Sequence, residues 1–494
     1  MSGSRIRLRY SGLMLFLFRL LSVGTGLLFT LLVTRNITLE EYGVYSNIGD
    51  TLSYFTLASA IIPFWVTRFT ARGHQDAPKT GLIINLLVAS ASAAVYLITI
   101  PNILGILQVS SKYFLTYSVG VFLIVENHVQ AVLEAIFYPK RPEMMAFGLL
   151  VLEIGKVSLG FLLIIGFRTG LIGVLFSLIA SYLVQILFYV RGIWREILGR
   201  IRWDYAKRWF KASLINIYGI IGGRILIFAN ILLFVYGGEL ARAYYGASSA
   251  IASIVGYSSS LSFALYPKLL SEVNPSDVSS SLKMVLMFAL PMCTGAIVLS
   301  EPLLLILNPL YAVAKPILIL LSLNALFLAT SSVFDSIISG TERLDADEKI
   351  SYRKMVRSRL FLLQTLTYAQ AAVIVPLTYL ILAVGMPDAL TAAEYLAIIN
   401  VLTNLFTIIA KYIIASRCLK FDIPWVSLIR YLSASLVMSL VLYLTPTLAR
   451  LSMVVVKVLF GALVYFSLVL LVDNEARKML KMTKDFASRE ISEN

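Results

Sequence analysis

Residues 11–34 read SGLMLFLFRLLSVGTGLLFTLLVT, 24 positions in which Arg19 is the one charge. As a helix rising about 1.5 Å per residue this run reaches about 36 Å, enough to cross a bilayer hydrocarbon core of about 30 Å. It stops at the polar stretch RNITLEE, residues 35–41, and a second apolar run begins at once. The alternation of apolar run and short polar break continues through residue 472 of the 494. Composition agrees, since 59% of the residues are hydrophobic and 14% charged, where a soluble domain carries about 25% charge. So few charges cannot cover the aqueous surface of a protein this long, which excludes a water-soluble globular enzyme. Arg5, Arg7 and Arg9 look like the start of a signal peptide. The run behind them, however, contains Arg19 and no small-residue cleavage pattern, so it reads as a retained first helix.

Fourteen apolar runs predict fourteen transmembrane spans, near residues 11–34, 43–66, 81–106, 113–137, 143–166, 170–191, 212–236, 243–267, 281–303, 314–338, 360–384, 391–415, 426–445 and 451–472. Helices are required because lipid offers no partner to backbone N–H and C=O groups, and the ten-residue alternation of a closed β-barrel is absent. The expected fold class is therefore an all-α polytopic membrane protein. Even-numbered breaks and both tails hold about 30 Lys and Arg residues, whereas the odd-numbered breaks hold 7: Arg35, Lys112, Arg168, Arg242, Lys315, Arg450 and Lys457. The positive-inside rule then places both termini in the cytoplasm and the chain in the cytoplasmic membrane. The longest basic breaks, Arg191 to Lys211 and Thr341 to Arg359, read as orientation signals and lipid-headgroup contacts. No outer break exceeds about a dozen residues, so there is no room for an external catalytic domain.

Several chemistries lack their residues. The formal charge of +15 is spread in short clusters between apolar runs, a membrane pattern, so nucleic acid is not an expected partner. Cys293 and Cys418 lie far apart without CxxC spacing, and the two histidines are also distant. No GxxxxGK[ST], HExxH or GxSxG occurs, so neither ATP hydrolysis nor hydrolase chemistry has its machinery. No cofactor, metal or enzymatic activity is expected.

An internal duplication is visible at the second and eighth spans. Glu41-Tyr42-Gly43-Val44-Tyr45-Ser46 opens one and Ala241-Arg242-Ala243-Tyr244-Tyr245-Gly246 opens the other. Further along, Ala60-Ile61-Ile62-Pro63 matches Ala264-Leu265-Tyr266-Pro267. Matches at nearly constant offset, six spans apart, imply two six-helix lobes related by an axis along the membrane normal.

Four stretches, LLVTRNITLEEYGVYSNIGDTL (31–52), GGELARAYYGASSAIASI (237–254), ALYPKLLSE (264–272) and EPLLLILNPLYAVAKPILILLSLNALF (301–327), carry a family likeness. Over residues 11 to about 420 the chain resembles the polysaccharide transporters of the multidrug/oligosaccharidyl-lipid/polysaccharide exporter superfamily. The resemblance implies two six-helix lobes around a central cavity plus two C-terminal helices. The division that follows is residues 1–205, 206–420 and 421–494. It also implies a flippase that carries lipid-linked oligosaccharide or polysaccharide precursors across the cytoplasmic membrane by alternating access. Glycosyltransferases of the same pathway and membrane lipids would be its partners. Many family members have an acidic residue in the seventh span where this chain reads Gly222-Gly223-Arg224, which reverses the charge. Two other readings are a cation-coupled exporter of drugs or other lipids and, from a different class, a membrane-embedded glycan polymerase or ligase. The short outer breaks argue against the latter.

Ionisable groups inside spans cost about 2.5–3.5 kcal/mol each on insertion scales, so they face a cavity or a partner. Arg19 and Arg224, in the counterpart first and seventh spans, are candidate contacts for the phosphate of a lipid carrier through forked hydrogen bonds. The competing reading for Arg19 is an ion pair with Asp50. Glu126, Asn127, Gln130 and Glu134 share one face of the fourth span, with His128 on the other side. Asp50, Glu126, Glu153 and Lys156 are the candidate ion-coupling residues, although Glu153 and Lys156, three apart, are expected to pair with each other. Asn324 and Asn400, with Asn404, Gln364 and Gln370, offer amides suited to a hydroxyl-rich substrate. Tyr42, Tyr45, Tyr244 and Tyr245 are expected in an interfacial aromatic belt.

Overall fold

The computed structural model describes residues 21–22, 24–262, 265–342, 356, 358–446, 450–473 and 477. Every regular element among them is helical. In chain order these are α1 (24–36), α2 (Leu39–Phe55), α3 (Ile61–Ala71), α4 (Ala77–Ile106), α5 (Phe114–Phe137), α6 (Glu143–Gly160), α7 (Gly170–Gly192) and α8 (Trp203–Ala212). There follow α9 (Leu214–Gly256), α10 (Leu265–Ser271), α11 (Pro275–Val298), α12 (Ser300–Leu307), α13 (Lys315–Gly340), α14 (Arg359–Gly385), α15 (Ala389–Cys418), α16 (Trp425–Leu444) and α17 (Leu451–Val472).

Eleven of the described helices are long and apolar enough to cross a membrane, and one of these, Ile217–Ser262, is 46 residues long. At about 1.5 Å per residue that is about 69 Å, twice what a bilayer needs. Gly238 divides it, with φ 80° and ψ 179°, a conformation open to glycine because it lacks a Cβ. The run is therefore the expected seventh and eighth spans. With α2 and α3 counted together, and with α1 as the described end of the expected first span, this arrangement is consistent with about fourteen spans. The chain is a multi-pass membrane protein.

Three expected spans are broken, each just before a proline in the first turn of the following helix. The run 43–66 is two helices, α2 and α3, separated by a 3-10 turn at Leu57–Ala60. Pro63, third residue of α3, has no N–H, and its ring disfavours a helical carbonyl four residues back, so it fits the first turn of a new helix better than the interior of one, although Pro101, Pro291 and Pro376 are carried inside continuous helices. Pro302 is likewise third in α12, and α11 stops at Val298, splitting the expected run 281–303. The run 243–267 leaves α9 through a 3-10 stretch, Tyr257–Ser262, and resumes as α10, again with a proline, Pro267, in third place. The second and eighth spans thus repeat one design of helix, 3-10 turn and proline-led short helix.

The chain forms two compact units, Met1–Ala247 with Gln364–Ile399, and Ser248–Leu363 with Asn400–Asn494. In the first, side chains from α3, α4, α5 and α7 build a core around Ile62, Val66, Ile136, Phe137 and Tyr189, and α8 adds Ala206 and Trp209. In the second, α10, α11, α13 and α15 pack around Leu269, Val285, Val333 and Ile337. A neighbouring cluster joins α11 to α16 and α17, where Tyr465 donates to the Met287 carbonyl at 2.7 Å and Tyr431 to Asp473 at 2.7 Å.

Candidate functional site

The polar centre of the first unit is built on α2. Thr38 caps this helix, accepting from the Glu41 N–H at 3.2 Å while Glu41 accepts from the Thr38 N–H at 3.0 Å. That capping box fixes where the helix starts and so which face carries Tyr42, Gly43, Ser46 and Asp50. A Cβ on Gly43 would land on the Glu239 carbonyl oxygen, and one on Gly246 would meet Ser46 and Tyr42. Only small residues allow so close an approach. The two segments matched in the sequence as repeats therefore pack against each other.

Asp50 lies deeper on the same face. Its Oδ2 accepts from Arg242 Nε at 2.7 Å and its Oδ1 from Asn230 Nδ2 at 3.3 Å. Both ions are buried, at 9% and 7% exposure. Further along, Tyr54 donates to the Arg224 carbonyl at 3.1 Å. Along α2 the contacts with α9 fall in descending order, 239 at Gly43, 230 at Asp50 and 224 at Tyr54, and the same face also meets the arm beyond Gly238, at Gly246 beside Ser46 and at Arg242 beside Asp50. Asp50 thus contacts residues on both sides of Gly238, where the helix is interrupted.

Several expectations change here. Asp50 is paired with Arg242; Arg19, its expected partner, lies outside the described residues. Arg242 is a buried helical residue, not an outer-break charge. Tyr42 and Tyr245 are buried at 5% and 8% exposure. They pack inside the protein beside Arg242 and do not form an interfacial belt, because the close α2–α9 approach encloses them.

Arg224 is half-buried, and among the described residues its guanidinium has no hydrogen-bond or ion-pair partner. About two turns earlier on α9, Tyr218 stacks on Tyr368 of α14, with ring centroids 4.4 Å apart and an 18° interplanar angle. Tyr368 donates to the Tyr218 carbonyl at 2.7 Å, and Gln364 lies against Gly219. The surroundings of Arg224 thus combine a free cation, aromatic faces and an amide.

A second polar group follows α5. Glu126 is buried at 8% exposure, and no hydrogen-bond partner reaches its Oε2 among the described residues. Two turns on, Glu134 Oε1 accepts from Gln130 at 3.1 Å and from Tyr189 of α7 at 3.2 Å. Asn127 is exposed, while His128 turns toward α4, where Asn85 donates to its carbonyl at 2.6 Å. On α6, Glu153 pairs with Lys156 at 2.6 Å and accepts from Thr25 of α1 at 3.0 Å.

In the second unit, Asn404 donates to Asn324 at 2.8 Å, joining α15 to α13, and Asn400 sits half-buried one turn before Asn404. Asn324 thus spends its acceptor on the protein. Lys411 and Asp335 pair at 2.8 Å between the same two helices. The sequence reading passed over this pair and Arg242, although opposite charges inside the tenth and twelfth spans were the available signal. Among the described residues no group of three or more His, Cys, Asp or Glu could hold a metal ion.

No family model matches the sequence, and no curated protein matches it. Solved structures do. The lipid II flippase MurJ, in an inward closed conformation, matches with TM-score 0.65 at 15% identity, over 95% of this chain and 100% of that one. An inward-facing multidrug-resistance MATE-family transporter of the MOP superfamily matches with TM-score 0.61 at 13% identity, over 80% and 95%. A MOP-superfamily transporter from Pyrococcus furiosus whose binding pocket has reversed polarity matches with TM-score 0.52 at 14% identity, over 84% and 95%. These likenesses show the fold: the chain has the fold of the transporters of the MOP superfamily.

Proposed function

We propose that the chain is a flippase that moves a lipid-linked oligosaccharide, through its anionic phosphate or pyrophosphate, across the cytoplasmic membrane by alternating access. One observation carries the reading: the Arg224 guanidinium, inside a span, has no partner among the described residues. A charge so placed is costly unless a ligand completes it, whereas the other cation of the same helix, Arg242, is already neutralised by Asp50. A guanidinium offers two parallel N–H groups to phosphate oxygens. The Tyr218–Tyr368 stack and Gln364 beside it suit the sugar that follows. The match to a lipid II flippase over 95% of this chain supports a lipid-linked substrate. The MATE likeness supports the second reading, a cation-coupled exporter. Arg19 is proposed as a companion contact, Asn324 and Asn400 as sugar contacts, and Glu126 as the ion-coupling group.

The test uses purified protein in vesicles with a fluorescent lipid-linked oligosaccharide. Arg224→Gln should slow flipping about tenfold or more, the loss of one charge-assisted contact of about 1.5–3 kcal/mol, and Arg224→Lys should retain part of the rate because it keeps charge without the planar fork. Wild-type flipping by a well-inserted Arg224→Gln protein overturns the assignment.

A further inference from the structure

The α7–α9 connection carries a surface that the transport reading does not use. Where α7 ends at Gly192, Trp194 and Leu198 are 61% and 64% exposed, and on α8 Trp203 and Phe210 are 55% and 47% exposed. The opposite face of α8 is anchored. Trp209 is fully buried in the core of the first unit, Tyr205 packs on Phe69 with centroids 5.1 Å apart, and Trp65 donates to Ser213 just past the helix at 2.8 Å. At 100° per residue Trp203, Lys207 and Phe210 share one face, opposite Tyr205 and Trp209. A rigidly held helix thus presents aromatic rings and positive charge together.

Its charge is strongly one-sided. Arg195, Arg200, Lys207 and Arg208 are exposed, and their side chains have no carboxylate partner among the described residues. Of the acidic neighbours, Glu196 pairs with Arg141 at 2.9 Å, and Asp76 accepts from the Arg200 N–H at 2.9 Å and lies 3.9 Å from Arg202; Asp204, exposed on α8, is outnumbered by the four basic side chains. This surface also begins at the end of a span, at the depth where hydrocarbon gives way to headgroups. Bulky aromatics with interleaved Lys and Arg are the composition of a helix lying in that interface. We infer that residues 194–210 form a seat for anionic phospholipid headgroups, with Trp194, Trp203 and Phe210 inserted at the acyl boundary and the four basic side chains on the phosphates. The inference depends neither on which leaflet this is nor on the transported substrate.

The test reconstitutes the full chain, with Trp425→Phe to remove an exposed tryptophan elsewhere, in phosphatidylcholine vesicles containing a brominated lipid. At equal mole fraction, brominated phosphatidylglycerol should quench tryptophan fluorescence more than brominated phosphatidylcholine, and salt should reduce the difference. Each basic residue at a leaflet surface contributes about a fivefold preference. The variant Arg195→Gln/Arg200→Gln/Lys207→Gln/Arg208→Gln should therefore lose the phosphatidylglycerol preference by about tenfold or more. Replacing the three arginines by lysine, which preserves charge, should retain it, and Trp194→Phe/Trp203→Phe should remove the quenched component. Added inorganic phosphate should not compete as the bilayer does. Equal quenching by the two lipids, a preference untouched by the glutamine variant, or quenching that survives loss of both tryptophans each refutes the seat. A soluble acidic partner on this surface would give the first of these results.

Discussion

A cation placed inside a membrane helix must be neutralised by the protein or left for a ligand, and α9 contains both cases. Arg242 has Asp50 at 2.7 Å; Arg224, eighteen positions earlier, has no partner among the described residues. The carboxylates divide in the same way. Glu153 is held by Lys156 and Glu134 by Tyr189 and Gln130, whereas no described hydrogen bond reaches the buried Glu126 Oε2. Glu126→Gln keeps the shape and removes the charge, so it should lower transport about tenfold or more, within the range of a lost charge-assisted interaction, and abolish dependence on an ion gradient. Membrane level should not change. Normal, gradient-dependent transport would remove Glu126 from coupling. Arg224 and Glu126 were legible in the sequence because a charge in an apolar run is conspicuous. The partner of Asp50 was not, since it is 192 residues away and stands where charge spacing suggests an outer break.

At the scale of elements, α2 is the organising helix of the first unit, because one of its faces meets both arms of α9. Gly43 permits backbone approach at its start and the Asp50–Arg242 pair joins the helices deeper. Breaking a buried pair from one side strands the other charge and costs about 3–5 kcal/mol, while removing both charges costs much less. Asp50→Asn and Arg242→Gln should each lower the unfolding temperature in detergent markedly, and the double variant should recover most of the loss. Additive losses would mean that the two groups are not energetically coupled. The existence of these helices could be read from apolar length alone. Their interruptions could not: Pro63, Pro267 and Pro302 stand just after each break, but Pro101, Pro291 and Pro376 lie inside continuous helices, so a proline in an apolar run does not by itself tell a break from an unbroken span. The division between the seventh and eighth spans was legible from the apolar runs 212–236 and 243–267, and the break between them contains Gly238, where the backbone leaves the helical region.

For the whole molecule, an even number of crossings is expected to return both termini to one side, and the positive-inside rule predicts which side from charge: about 30 Lys and Arg residues in the even breaks and tails against 7 in the odd ones. Burial of Arg242 takes one from the smaller group, which sharpens the contrast because a cation inside the protein no longer bears on orientation. The folded chain supplies reporters for both sides. Ser110, between α4 and α5, and Met386, between α14 and α15, are exposed in odd-numbered breaks. Gln75, between α3 and α4, and Ser276, at the start of α11, are exposed in even-numbered ones. With Cys293 and Cys418 first replaced by alanine, single cysteines at Ser110 and Met386 should react with a membrane-impermeant thiol reagent applied to intact cells. Cysteines at Gln75 and Ser276 should react only after permeabilisation. Each reporter tests a different crossing number, so a missing span reverses every site beyond it and leaves those before it unchanged. Labelling at Gln75 and Ser276 in sealed cells, with protection at Ser110 and Met386, would invert the molecule and place the Arg195–Arg208 surface on the outer leaflet. Reversal of Ser276 and Met386 alone would instead show that the 46-residue run crosses once, against its division into two spans at Gly238.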